Sequence, residues 1–93
     1  MGNFNLTKED ELAGLKSLIP DTNPESLEEC AIILSEVKYK AYGFSMVMIY
    51  FDSVRKKWNI GLRNTVNLPN IECSHDTMKG SIHLFFDGIR KLN

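Results

Sequence analysis

Residues 57–63 alternate strictly: Trp58, Ile60 and Leu62 are apolar, while Lys57, Asn59, Gly61 and Arg63 are polar or small. A period of two is the mark of a strand with one buried face, because successive side chains leave a pleated strand on opposite sides. The apolar run Phe44-Ser45-Met46-Val47-Met48-Ile49-Tyr50-Phe51 precedes it, and the polar break Asp52-Ser53-Val54-Arg55-Lys56 separates the two. That layout predicts a β-hairpin. Val47, Ile49 and Phe51 fall on one face of the first strand and Met46, Met48 and Tyr50 on the other, so this strand is expected to be central or covered on both sides.

A cleanly amphipathic helix is expected to close the chain. Met78, Ile82, Phe85, Phe86, Ile89 and Leu92 recur at helical spacing, and Arg90 and Lys91 suit the negative end of the helix dipole. Its start is expected near Ser74 or Asp76. Gly80 and Gly88 lie off the stripe, where they permit close approach. Between hairpin and helix, residues 64–70 read as a loop, and residues 70–73 as a short edge strand preceded by Pro69.

Two helices are expected before the hairpin. Thr7-Lys8-Glu9-Asp10 has the form of a capping box, Leu12, Leu15 and Ile19 give a short apolar stripe, and Pro20 ends it. In the second helix Asn23 is the expected N-cap and Pro24 the first helical residue, with Glu25, Glu28 and Glu29 in the opening turns. Leu27, Cys30, Ala31, Leu34, Val37 and Ala41 form its expected buried stripe, and Gly43 its left-handed stop.

The chain has 93 residues, of which 43% are hydrophobic and 25% charged, which places it among globular domains rather than disordered ones. We expect one domain over residues 1–93, with a single two-layer core. Its longest apolar run is far shorter than the roughly 20 residues that span a bilayer. Residues 1–5 lack the pattern of a signal peptide, and Leu6 occupies the position where a lipidation motif needs Ser or Thr. A cytoplasmic chain without membrane contact is therefore expected, with Cys30 and Cys73 as reduced buried thiols. Net charge is −1 but unevenly spread: residues 1–36 carry two Lys against eight Asp or Glu, and residues 37–93 nine Lys or Arg against four acids. Such asymmetry bears on partners rather than on fold.

Candidate chemistry is sparse. Ser74-His75-Asp76 holds the letters of a hydrolytic triad, but adjacent residues cannot place hydroxyl, imidazole and carboxylate in relay. A helix start explains them better. Cys73, His75, Asp76 and His83 include no C-x-x-C pair, and the histidines are eight apart rather than the three to five of a helical metal pair. No catalytic residue, metal ligand or cofactor is expected. Arg55, Lys56, Lys57 and Arg63 beside Trp58 form a basic hairpin that suits phosphate, or simply a solvated tip that discourages edge pairing. Glu25, Glu28, Glu29 and Glu36 give an acidic helix able to dock on a basic partner. Met46, Met48 and Tyr50 form an adaptable contact surface if nothing covers them.

Trp58-x-Ile60-x-Leu62 followed by the Ser74…Met78…Ile82…Phe86 helix resembles small phage and prophage proteins of unknown function built as a helix, a Trp-bearing hairpin and a closing helix. Leu68-Pro69-Asn70-Ile71 and Asp76-Thr77 are similar to the strand-turn-helix order of HicB-type antitoxin domains. The glycine-rich turn of the antitoxins is missing, and Lys79-Gly80 stand where acids and Ala are usual there. No functional residue is carried over from either group.

The expected fold is α+β: an antiparallel sheet of two or three strands packed on helices, in the order α-α-β-β-(β)-α. The expected function is that of a non-enzymatic interaction protein, a phage or mobile-element accessory factor or inhibitor. It would bind a protein through Met46, Met48 and Tyr50 or through Glu25, Glu28 and Glu29, with a homodimer as a candidate assembly. The alternative is a nucleic-acid-binding or antitoxin-like module using Arg55, Lys56, Lys57 and Arg63.

Overall fold

A computed structural model describes residues 7–40, 46–63 and 67–93, and the side chains of residues 38–40 and 46 fall outside that description. The elements follow the expected order: α1 (Lys8–Leu18), α2 (Leu27–Lys40), β1 (Met46–Asp52), β2 (Lys57–Arg63), β3 (Ile71–His75) and α3 (Met78–Arg90). Three helices and one antiparallel sheet make the fold α+β.

Each helix starts where a hydroxyl satisfies free backbone donors. Thr7 caps α1 with the full reciprocal box: its Oγ1 accepts from the Asp10 N–H at 3.1 Å, and Asp10 Oδ2 accepts from the Thr7 N–H at 3.4 Å. At α2 the cap is Ser26, whose Oγ accepts from the Glu29 N–H at 3.1 Å, rather than Asn23. Pro24 and Glu25 thus precede the helix instead of opening it. Ser26 wins because Asn23 and the Pro24 carbonyl are engaged by α3, as described below. At α3 the cap is Thr77, whose Oγ1 accepts from the Gly80 N–H at 3.0 Å, so Ser74 and His75 belong to β3 and not to a helix start.

The sheet has the order β1-β2-β3. This corrects the placement of β1: although apolar on both faces, it is an edge strand, and β2 is central. Asp52 pairs with Lys57, Ile49 with Ile60 and Val47 with Leu62, while on the other side Ile60 pairs with Cys73 and Leu62 with Ile71. The connecting turn is organised by Asp52, whose Oδ1 accepts from the Val54 and Arg55 N–H groups at 3.0 and 3.2 Å. Its carbonyl accepts from the Lys56 N–H at 2.7 Å. Lys56 closes the turn with φ of 60°, the left-handed conformation that favours glycine.

The core lies between one face of the sheet and the helices. Ile60, Leu62, Phe85, Phe86 and Ile89 are completely buried, joined by Cys30, Leu34 and Val37 from α2, Leu15 and Ile19 from the α1 end, and Leu68 from the loop before β3. The closing stripe holds as expected, with Met78 and Leu92 packed at its margins. The α2 stripe is narrower: Leu27 and Ala31 are exposed, while Ala41 and Gly43 lie outside the described residues. Trp58 sits on the core face but is only half-buried, with its ring 5.3 Å from that of Phe51. Among the described residues no helix is long and apolar enough to cross a membrane.

Candidate binding face and the clamp behind it

Pairing register places Met48, Tyr50, Asp52, Lys57, Asn59, Gly61, Arg63, Glu72 and Ser74 on the sheet face opposite the core. Met48 and Tyr50 are 40% and 45% exposed, so this face is open rather than covered by a second layer. Gly61 lies at its middle, between Met48 on β1 and Glu72 on β3. Having no side chain, it floors an open depression of about 260 Å³ lined by Met48, Tyr50, Gly61, Arg63 and Glu72. A Cβ there would lie 2.9 Å from the Ile71 carbonyl oxygen, so the close approach of β3 requires glycine.

The polar residues of this face satisfy one another. Asn59 is buried, contrary to the half-exposed strand face expected from sequence, because Ser74 Oγ donates to its Oδ1 and its Nδ2 donates to the Lys57 carbonyl at 3.3 Å. Arg63 pairs with Glu72 across the β2–β3 ladder, and Lys57 pairs with Asp76. The Lys57 hydrogen bond and charge hold the Asp76 carboxyl below its usual range. Arg55 lies 3.9 Å from Asp52 and is 82% exposed. Of the four cations of the basic hairpin, Lys56 alone takes part in no ion pair among the described residues.

The acidic set spans the linker and the helix. Glu28 and Glu29 are exposed in the first turn of α2, Glu36 is exposed two turns further on, and Glu25 lies in the linker. The Glu25 carbonyl accepts from Lys79 Nζ at 2.8 Å.

That last bond belongs to a feature sequence reasoning missed. Lys79, His83, Asp87 and Arg90 share one flank of α3 at helical spacing, and three of them grip the α1–α2 linker. His83 Nε2 lies 2.8 Å from the Pro24 carbonyl oxygen. Arg90 Nε donates to the Pro20 carbonyl at 3.0 Å, Nη2 donates to Asn23 Oδ1 at 2.6 Å, and Nη1 pairs with Asp87. The residues expected to cap α2 are therefore acceptors for α3. The polar spacing 79, 83, 90 was visible in the sequence, but its target was not.

Cys30 Sγ lies 3.5 Å from His83 Nε2 and 3.6 Å from the Pro24 carbonyl oxygen. A cysteine–histidine contact invites comparison with a nucleophile and its base, but the geometry opposes it. A carbonyl oxygen only accepts, so Nε2 must carry its proton to bond Pro24, and a protonated Nε2 cannot take the thiol proton. Cys30 is also fully buried, and burial, reinforced by Glu29 and Glu25 against the opposing Lys79, pushes its thiol pKa up. Burial likewise raises the half-buried Cys73, with Asp87 and Glu72 adding to it. Both thiols are free. His75 is placed apart from His83: its Nδ1 accepts from the Thr77 N–H at 3.1 Å, and its ring occupies the space over Gly80, where a Cβ would lie 2.1 Å from Nδ1. Among the described residues no group of three or more His, Cys, Asp or Glu is arranged to hold a metal ion. Ile60 and Phe85 line no open cavity, being sealed in the core.

Comparison with protein-family models, with curated proteins and with solved structures finds no match to this chain.

Proposed function

We propose that this chain is a non-catalytic binding module that takes a protein partner on its open sheet face, as a small accessory or inhibitory factor of a phage or mobile element would. The observation that carries this reading is the depression floored by Gly61. There two exposed apolar side chains, Met48 and Tyr50, stand beside an Arg63–Glu72 pair. An apolar centre with a charged rim is the common anatomy of protein interfaces, and adaptable Met and amphipathic Tyr are enriched in them. Met46 opens the same strand, with its side chain outside the described residues. Glu25, Glu28 and Glu29 support the reading less well, because exposed acids at the start of a helix are already accounted for by its dipole. The non-catalytic part rests on the buried Cys30 thiol, whose histidine neighbour is committed as a donor to Pro24.

The basic hairpin offers less to a nucleic acid. Nucleic-acid affinity comes chiefly from cations free to displace counterions, and three of Arg55, Lys56, Lys57 and Arg63 already face a carboxylate.

Affinity capture from native cells with the wild-type chain, Tyr50→Asp and Lys56→Glu separates the readings. The expected result is a captured protein that Tyr50→Asp loses and Lys56→Glu keeps. Salt-sensitive retention on nucleic acid, lost in Lys56→Glu and unchanged in Tyr50→Asp, would instead establish the hairpin as the binding element.

A further inference from the structure

We propose that two copies of this chain pair through the free edge of β1, antiparallel and centred on Ile49, to make one continuous six-stranded sheet. This goes beyond the open-face reading, since the pairing extends that face rather than covering it.

The edge itself is the first argument. Among the described residues only β2 pairs with β1, and an antiparallel ladder turns the N–H and C=O of every second residue away from its partner strand. Soluble proteins usually protect such an edge with Lys, Pro, a bulge or brevity. The strand Met46–Asp52 has none of these: it runs seven residues without Lys, Arg, Pro or Gly. The opposite edge is different. There β3 has five residues, follows Pro69 closely, and carries Glu72 bonded inward to Arg63.

The second argument is self-complementarity, which commits the edge to a second copy rather than to an arbitrary strand. With Ile49 on the two-fold axis, Met48 lies opposite the partner subunit's Tyr50 on the open face. Val47 then lies opposite the partner subunit's Phe51 on the core face. Methionine sulfur beside an aromatic ring is a favourable cross-strand pair, and it occurs twice by symmetry. Met48, Tyr50 and Phe51, at 40%, 45% and 44% exposure, are the side chains this pairing sets beside those of the second copy along the seam. Asp52 is the only charge in the strand. The register sends it to the end of the seam, about 20 Å from its symmetry mate at ~3.4 Å per residue.

Size sets the strength. An aromatic side chain offers roughly 200 Å², so Tyr50 and Phe51 can bury at most about 90 Å² each, and less where the face stays open. With Met48 and the backbone edge, the seam falls at the low end of specific interfaces, which implies a reversible, concentration-dependent dimer.

Sedimentation equilibrium over a wide concentration range tests this on the full chain. The mass is expected to rise from 10.6 kDa toward twice that value. Met48→Lys with Tyr50→Lys places lysines against lysines across the seam and should hold the chain monomeric throughout. Met48→Lys with Tyr50→Glu places Lys against Glu and should restore pairing. Both variants alter exposed positions, and circular dichroism verifies their folding. A wild-type chain that stays monomeric overturns the proposal, as does pairing that survives the double lysine change or fails with the Lys–Glu combination. Monomeric wild type that still captures a protein through Tyr50 would sink the pairing and leave the partner-binding reading intact.

Discussion

Arg90 offers the sharpest test of how this small domain is held together. Its guanidinium joins the Pro20 carbonyl, the Asn23 side chain and Asp87, and so ties the first half of the α1–α2 linker to α3. Hydrogen bonds to a charged group contribute ~1.5–3 kcal/mol each when well formed. The Arg90 side chain is 25% exposed, so solvent competes for part of that, and Asp87 at 42% exposure adds little. We expect Arg90→Ala to cost about 2 kcal/mol, a large share of the roughly 5–15 kcal/mol typical of natural domains. That corresponds to a fall in Tm on the order of 10 °C. Arg90→Lys should recover less than half of the loss, because one ammonium cannot serve the Pro20 oxygen and Asn23 Oδ1 together. Urea denaturation gives the free energies, and a double-mutant cycle with Asn23→Ala isolates the pairwise part. Amide exchange should accelerate over residues 20–26 with α3 still protected. A loss under about 0.5 kcal/mol, or full rescue by Lys, would show that apolar contacts alone dock the linker.

Three further outcomes are expected. Ser81 Oγ is fully buried with no hydrogen-bond partner among the described residues. Ser81→Ala should therefore raise stability by about 1 kcal/mol in urea denaturation, and a loss instead would mean the hydroxyl is satisfied in solution. Lys56 adopts φ of 60° at the hairpin turn, so Lys56→Gly should stabilise by roughly 0.5–1 kcal/mol; destabilisation would count against that turn geometry. Asp76 has a folded-state pKa depressed by Lys57, so its contribution is present above the unfolded-state value and is lost as pH falls through the folded one. A carboxyl titration followed by NMR should place Asp76 below the usual carboxylate range, and Lys57→Met should return it there; an unchanged midpoint in that variant would disprove the pairing.

What the sequence determined by itself was local periodicity and local caps. The alternation of Trp58, Ile60 and Leu62 and the stripe from Met78 to Leu92 each require one buried face whatever lies opposite. Thr7 and Asp10 complete a capping box within a few residues of chain. Such features depend on near neighbours, so they could be read without coordinates. Tertiary structure decided which strand is central. Met46–Asp52 is apolar on both faces, and that pattern cannot say whether a second layer exists; the order β1-β2-β3 puts the strand at the edge, and the packing of the helices on the other face leaves Met48 and Tyr50 exposed. Asn59 looked like a surface residue because its partner, Ser74, arrives from another strand. Asn23 lost its expected cap role to Ser26 because Arg90, far along the chain, competes for its side chain. The Gly61 depression, Cys30 beside His83, and the clamp on the linker all depend on distant segments meeting. The physical reason is reach: a period or a cap is fixed by bonds a few residues long, whereas a site is fixed by which faces the whole chain leaves without a neighbour.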